Sequence, residues 1–600
     1  MQNTKALTLN RNNLDKSSSP YLLQHIENPV WWQEWNDDLI RYAVKINKPL
    51  FVSVGYATCH WCHVMAAEAF SDKNTAAYLN DHFISIKVDR EQRPDIDQYM
   101  MDFINQQNGR GGWPLNVFLT PSLHPVFALT YAPLASRDSM NSLLAVAEKV
   151  FEYFENNTGK IPPFESVENQ SPVADEKTLI KKLSEYYDPE NGGFGSGQKF
   201  PSHSTILYLL YQLSIGDSPS IKTICTKTLD AIRLKGLNDH LQGGIFRYCV
   251  DNEWTIPHFE KMLYDQAMAL WVYSLAYKVI GDPEYKIMAE KISKCLEESF
   301  KVDGFYISAH DADTIHKEGA TYLWSYEQLI DELNPDEFAR FSETFFINKS
   351  GNFEGLIHLI KQKDTVLDTI ESKLLLIRKS RIQPSSDDKI LCGINSLLAV
   401  CMIQSGRLLG NHALEESASI LVHNIISRFW DGKSLSHSFF KGILQKQGFL
   451  FDAAALLTSI SLLYESNTGW RSNMDALVHY VESFRVGEKW VESHAEDFQA
   501  VYASWFDQPI PSSVSLATMG LARAALLTGK EIMPLEYRHP FQSDFYNLAA
   551  MIHNGSFHIY TSKKILAWDL LPGNSIQLPG EHEQDCYMGT CSPLDLQQLD

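Results

Sequence analysis

The spacing of apolar and polar positions changes character once along the chain. Over the first third it is short and strand-like. Pro49–Val54 (PLFVSV) is an apolar run rich in β-branched residues, and Phe83–Asp89 (FISIKVD) alternates, as a half-buried strand does. Leu115–Pro121 and His124–Thr130 follow in such close succession that they predict an antiparallel pair. Helical patterns lie between these runs, notably over 61–82. Strand, helix, strand, helix and hairpin is an α/β order. Near 156–171 the chain turns polar and carries Pro162 and Pro163, which predicts a linker.

From about Asp175 amphipathic helices dominate. Ile206, Leu209, Leu210 and Leu213 fall at i, i+3, i+4, i+7, and Met288, Ile292, Cys295 and Leu296 at i, i+4, i+7, i+8. Each set lays one apolar stripe on a helix. Further helices are predicted around 220–235, 262–279, 395–409, 413–428, 451–465, 471–485 and 514–528. Many paired helices without a fixed-period repeat suggest an α/α toroid or another helical array. The last 60 residues hold two strand-like runs, SFHIYTS (556–562) and KKILAWDLL (563–571), so a small α/β annex is expected there.

Length and charge narrow the function. A chain of 600 residues implies two or three domains. With 52 basic against 73 acidic residues the net charge is -21. Such a chain offers neither phosphate neutralisation nor polybasic attraction, so neither nucleic acid nor a membrane is expected as partner. The first twenty residues lack the apolar core of a signal peptide, and no run of about 18 apolar residues predicts a membrane helix. Nine cysteines in 600 residues are too few for a disulfide framework, so a reducing cytoplasm is expected.

Two of those cysteines carry the chemistry. In VSVGYATCHWCHVM, Cys59 and Cys62 follow a strand and open a helix. Cys59 at the helix N-terminus would have its thiolate stabilised by free backbone N–H groups, and Cys62 lies one turn on. His60 and Trp61 sit between them, and an imidazolium there would favour the reduced form. Trp113 and Pro114 stand immediately before a strand, where a cis-proline would face the dithiol. Together these favour a redox dithiol with Cys59 as nucleophile and Cys62 as resolving thiol. Two rivals remain open. Cys59-His60-Trp61-Cys62-His63 fits the c-type haem pattern C-x-x-C-H. Cys59, Cys62 and His63, or Cys586 and Cys591 with them, could hold zinc. The preferred reading requires no metal or other cofactor.

Several segments resemble one known family: SPYLLQHIENPVWW, GYATCHWCHVM, SIKVDREQRPDID, GGWPLNVFLTP, KFPSH, FRYCVDNEWTIPHFEKMLYDQA, SAHDADT and DDKIL. They are similar to the spermatogenesis-associated protein 20 family from about Ser17 to Lys389, and CYMGTCSPL near the end is similar too. The resemblance implies a multidomain α/β plus all-α chain. An N-terminal thioredoxin-like fold would be followed by an (α/α)6 barrel of the six-hairpin glycosidase type, and no settled substrate is implied. The chain departs from the family at Ile394-Asn395, at Phe451-Asp452-Ala453 and at Ala66 and Ala67.

The domains are therefore expected at 1–165 (thioredoxin-like), 170–535 (barrel) and 536–600 (annex). Barrels of paired helices build sites from loops at one end. The loop GGIFRYCVDNEWTIPHFEKMLYDQA brings Arg247, Tyr248, Asp251, Trp254, His258, Glu260 and Asp265 together, and SAHDADT adds His310, Asp311 and Asp313. Tyr248 and Trp254 could stack on a sugar-like ring, with His258 or Glu260 as acid or base and the aspartates as a carboxylate pair. Equally, these residues could cap helices and anchor loops. A helix opening near Pro257 would put His258 and Asp265 on one face and turn Glu260 away. His203, Asp388 and Lys389 are further candidates for the cavity. The expected function is thiol–disulfide exchange with an unknown protein partner, beside a barrel that takes a sugar-like molecule. The alternatives are a carbohydrate-active barrel enzyme of epimerase or glycosidase kind, and a non-catalytic binding protein.

Overall fold

The computed structural model describes residues 8–137, 140–165, 171–507, 509–539 and 541–594. The N-terminal domain is built on a five-stranded sheet of order β1-β3-β2-β4-β5. Its strands are β1 (Gln33–Glu34), β2 (Leu50–Gly55), β3 (Ile84–Asp89), β4 (Leu115–Leu119) and β5 (Pro125–Leu129). β3 runs parallel to β1 and β2, while β4 is antiparallel to β2 and β5 to β4. The hairpin predicted at 115–130 is therefore present.

Every residue of β2, β3 and β4 is buried, because helices cover both faces. Phe51 and Phe118 pack with the helices His60–Ala67 and Lys73–His82. Val52, Val54, Ile86 and Val88 pack with Asp37–Ile46 and Pro94–Asn108. This is a thioredoxin-like fold.

The second part is an (α/α)6 barrel. Six helices make its inner ring: His203–Ile215, Leu263–Ile280, Cys392–Leu409, Leu450–Ser466, Ser513–Leu527 and Asp544–His553. Each packs on the next, and the last closes on the first. They are apolar nearly all round, as helices enclosed on every side must be. Cys392–Leu409 is long and apolar enough to cross a membrane, contrary to the expectation that no such run exists, yet 83% of it is buried inside the protein.

Five outer helices flank the ring: Glu176–Tyr186, Pro219–Leu234, Pro283–Cys295, His412–Phe429 and Arg471–Ser483. Between Leu527 and Asp544 the described residues form no helix. The boundary expected at 535 therefore falls inside the barrel, since Asp544–His553 is its closing inner helix.

The two ends of the ring are covered differently. At the C-terminal end lies a four-stranded sheet of His558–Ser562, Ser575–Pro579, Gln584–Tyr587 and Thr590–Pro593. It is tied down by Glu465, which binds the Gln577 backbone N–H at 2.8 Å and pairs with Arg407 and Arg523. KKILAWDLL is not the expected strand. It wraps the barrel end with a turn at Trp568–Leu570, and the Arg407 guanidinium stacks on Trp568 at 3.8 Å. At the N-terminal end of the ring sits the thioredoxin-like domain.

Candidate functional site

β2 ends at Gly55, and after three intervening residues Cys59 is the N-cap of the helix His60–Ala67. The Cys59 sulfur accepts a hydrogen bond from the Cys62 backbone N–H at 3.3 Å, which places it on the positive end of the helix. Cys59 and Cys62 are joined as a disulfide. Both are buried, at 3% and 2% exposure, while Trp61 between them is half exposed and lies 5.2 Å from the Tyr131 ring. The Trp113–Pro114 bond is cis. Leu115, the next residue, pairs with Val54, so the proline loop stands beside the strand end that leads to the dithiol. Trp113 is held by Asp97, to which its Nε1 donates at 2.8 Å, and by the Arg90 guanidinium 3.8 Å from its ring.

The barrel loops close on this site. His60 Nδ1 lies 2.9 Å from Asp313, and His63 Nε2 3.3 Å from Asp311. Thr58, the residue before the dithiol, donates its hydroxyl to Glu260, which also pairs with Arg247 at 3.0 Å. Arg247 in turn binds the Tyr56 hydroxyl. His258 holds Glu318 at 2.6 Å, and its ring centre is 6.5 Å from that of His60. The hydrogen bond to Asp313 raises the His60 pKa above the ordinary imidazole value against the opposing effect of burial. For His63 burial is the largest single influence and lowers the pKa. The hydrogen bond and charge of Asp311 outweigh it, so the net direction is also upward.

A second anchor lies deeper. The segment Asp89–Asp97 enters the mouth of the barrel. There Lys389, fully buried, contacts Asp89 at 2.5 Å, Glu91 at 2.9 Å and Asp387 at 3.1 Å. His437 Nε2 donates to the Glu91 carbonyl at 2.6 Å, and its Nδ1 lies 2.8 Å from Asp452. Arg93 joins Asp95 to Asp497. One lysine faces three carboxylates, and burial pushes Asp387 up to about 8, far above the ordinary carboxylate value.

The sequence candidates thus divide. Cys59, His60, Trp61, Cys62, His258, Glu260, Asp311 and Asp313 come together, but at the seam between the domains and not in an open barrel cavity. The helix begins at Leu263, and Pro257–His258 and Lys261–Met262 are short strands. His258 and Asp265 therefore share no helical face, and Lys261 turns away to Asp239 at 2.6 Å. Glu260, expected to point away as a loop anchor, is wholly buried against Thr58. Trp254 is no sugar platform: it is fully buried and donates to the Gly192 carbonyl. Tyr248 stacks on Phe200 at 4.8 Å. Asp251 caps its own loop through the N–H groups of Glu253, Thr255 and Ile256. Asp265 is buried 3.7 Å from His203. His310 binds the Ser299 carbonyl, and the exposed Asp388 accepts from Ser386. A cavity of about 560 Å³ near Trp490, Trp505 and Tyr546 contains none of these residues. Among the described residues no group of three or more His, Cys, Asp or Glu is placed to hold a metal. Cys586 and Cys591 are bonded to each other across the last two strands.

Sequence reasoning missed Thr58, Tyr56 and Glu318 at the seam.

Fold and site define a thioredoxin-like dithiol domain seated on an (α/α)6 barrel. Residues 11–170 match the DsbH thioredoxin-like family model, described as a protein of unknown function, DUF255. Over about two thirds of its length the chain is similar to spermatogenesis-associated protein 20. It is 33% identical to that protein of Rattus norvegicus over 480 residues, 68% of this chain and 60% of the relative. The chain thus spans less than two thirds of the relative's length. Among solved structures it is similar to cellobiose 2-epimerase from Spirochaeta thermophila DSM 6192, with 14% identity, TM-score 0.39, and coverage of 62% of this chain and 80% of that one. It is also similar to a structure titled DsbH Oxidoreductase, with 14% identity, TM-score 0.16, and coverage of 20% and 85%.

Proposed function

We propose that the chain is a thiol–disulfide oxidoreductase acting on protein partners. The observation that carries this reading is the Cys59–Cys62 pair at a helix N-terminus, with the half-exposed Trp61 between the cysteines. In the reducing direction, the Cys59 thiolate attacks a partner disulfide. One partner sulfur leaves and takes a proton. The Cys62 thiolate then attacks Cys59, breaks the mixed disulfide and releases the second partner thiol. The partner gains two electrons and the dithiol loses two. Read backwards, the same steps oxidise a partner dithiol.

The barrel serves this chemistry as a scaffold. It lends carboxylates that hold His60 and His63 and offset their charge, so the dithiol is less oxidising than unpaired imidazolium groups would make it. A sugar-like ligand gains no support from the site, because the proposed aromatic platform Trp254 is sealed in the core. A reducing cytoplasm suits the five free, buried cysteines.

The test is exchange with a model protein disulfide, followed by mass spectrometry. Wild type is expected to exchange, Cys62→Ser to accumulate the mixed disulfide, and Cys59→Ser to do neither. Wild-type protein that leaves the model disulfide untouched overturns the reading.

A further inference from the structure

Cys59 is buried, although exchange requires a partner sulfur to reach its own. The barrel grips the chain on both sides of it. Glu260 holds Thr58, and Asp313 holds His60 at 2.9 Å. The two grips differ in kind. Glu260 is wholly buried and also paired with Arg247, so it belongs to the packed seam. Asp313 stands instead on a two-residue hairpin. Its strands, Asp313–Thr314 and Lys317–Glu318, pair antiparallel with Asp313 opposite Glu318. Both carboxylates therefore leave one face, the first for His60 and the second for His258 at 2.6 Å. The turn between the strands is Ile315–His316, with φ of 52° and 59°. A turn with two left-handed residues favours Asn-Gly, and a β-branched residue in it is strained. The Ile315 side chain is 66% exposed, so packing does not hold it there. Half-exposed Trp61 lies against the His60 ring at 5.6 Å. Bare apolar side chains thus stand beyond both ends of the His60–Asp313 contact.

We propose that the hairpin Asp313–Glu318 is a gate over Cys59, held shut by its two histidine contacts and opened by the protein partner. This role rests on the redox reading above. The opener is an extended segment of the partner that carries an apolar side chain beside its disulfide. That side chain covers Ile315 and Trp61, which solvent now meets, and the area buried favours the open, engaged state. The closed state is built to yield. The His60 and Glu318 side chains are each 23% exposed, and ion pairs at a solvent edge hold weakly because water replaces them. Lifting the hairpin also releases the strain of the Ile315 turn, which narrows the gap between the closed and open states. A disulfide without an apolar neighbour must wait for spontaneous opening, so the gate selects partners by what flanks their cysteine. No bond changes in the gate itself, and the exchange steps are those given above.

The experiment uses reduced full-length protein with Cys62, Cys586 and Cys591 each changed to Ser, and mass spectrometry to read Cys59. Two further changes leave every carboxylate and His60 in place. Ile315→Asn with His316→Gly gives the turn the residues it favours and should keep the gate shut. Labelling of Cys59 by N-ethylmaleimide is then expected to slow by about tenfold. Inserting Gly-Ser-Gly between Ile315 and His316 loosens the hairpin and should speed the same labelling by about tenfold. Labelling at the parent rate in both variants overturns the gate. The opener is tested with two peptide disulfides that differ only in Leu or Ser beside the cysteine. Mixed-disulfide formation with Cys59 should favour the Leu peptide by about tenfold, and Ile315→Ser should remove that preference. Equal rates for the two peptides, or a preference that survives Ile315→Ser, overturn the apolar opener. A Cys59 that takes the maleimide but forms a mixed disulfide with neither peptide overturns the redox reading itself, and the opener with it.

Discussion

Glu260, at the mouth of the barrel, accepts a hydrogen bond from Thr58, the residue immediately before Cys59. It also neutralises Arg247, which in turn binds Tyr56. All four residues are buried, so this is a polar knot inside the domain seam. Removing one member of a buried ion pair leaves the other charge unpaired, which costs about 3–5 kcal/mol. Glu260→Ala should destabilise by about that amount, read from chemical denaturation. Glu260→Gln, which keeps the shape and an acceptor for Thr58, should lose less.

The histidine seam gives the interface a pH window. His60 has its pKa raised by Asp313, and that of Asp313 is lowered: burial pushes it up, but the bond and charge of His60 outweigh this. A raised histidine contributes stability that is fully present below its unfolded value, about 6.5, and lost as pH rises through the folded value. A lowered aspartate contributes stability that is present above its unfolded value and lost as pH falls through the folded one. The pair is therefore strongest between these limits. Denaturation midpoints of wild type and Asp313→Asn should differ most near pH 5–6 and converge on the alkaline side. A gap that widens above pH 8 would exclude this account.

How much of this was legible in the sequence follows from the range of each interaction. The strands of the first domain and most ring helices are set by local periodicity, and Cys59 and Cys62 stand out by spacing. The seam is different. His60 meets Asp313 and Thr58 meets Glu260 across more than 200 residues, and no local pattern encodes such a pairing. Their residue types mark these positions as polar, but the fold puts them at the domain seam and not in a barrel cavity. Trp254 misled for a related reason: an aromatic in a polar loop reads as a platform until the fold shows Gly193, without a side chain, making room for its ring. The closing helix Asp544–His553 was overlooked because it is short and lacks the outer partner that marks the other pairs.

The second disulfide should be dispensable for the fold. Cys586 and Cys591 face each other across a hairpin whose turn residues, Met588 and Gly589, both have positive φ. The backbone ladder and the turn already hold this register. The disulfide closes only a short loop, so its entropic contribution is at most about 2 kcal/mol. Cys591 is exposed, whereas Cys59 and Cys62 are buried. Timed alkylation with mass spectrometry should show dithiothreitol opening Cys586–Cys591 before Cys59–Cys62, with the circular dichroism unchanged. Loss of helical signal on opening the hairpin would show that it staples the barrel.

The Lys389 cluster makes a prediction of opposite sign to the usual carboxylate. Asp387 is pushed up to about 8, chiefly by burial and partly by the charges of Glu91 and Asp89, with Lys389 acting against both. The unfolded chain releases this proton near the ordinary carboxylate value, about 3.9. Between there and about 8 the folded protein holds one more proton at this site, so the site costs stability as pH rises. Asp387→Asn removes the titration and keeps an oxygen that can accept the Lys389 backbone N–H, which Asp387 now binds at 3.2 Å. It should therefore raise the denaturation midpoint near pH 8 and have less effect near pH 4. Lys389→Met should do the reverse and more strongly. It strands Asp89, Glu91 and Asp387 without their common cation, a loss of about 3–5 kcal/mol that acid partly relieves by protonating them. If Asp387→Asn lowers the midpoint at pH 8, Asp387 is ionised in the fold and the cluster is held by charge alone.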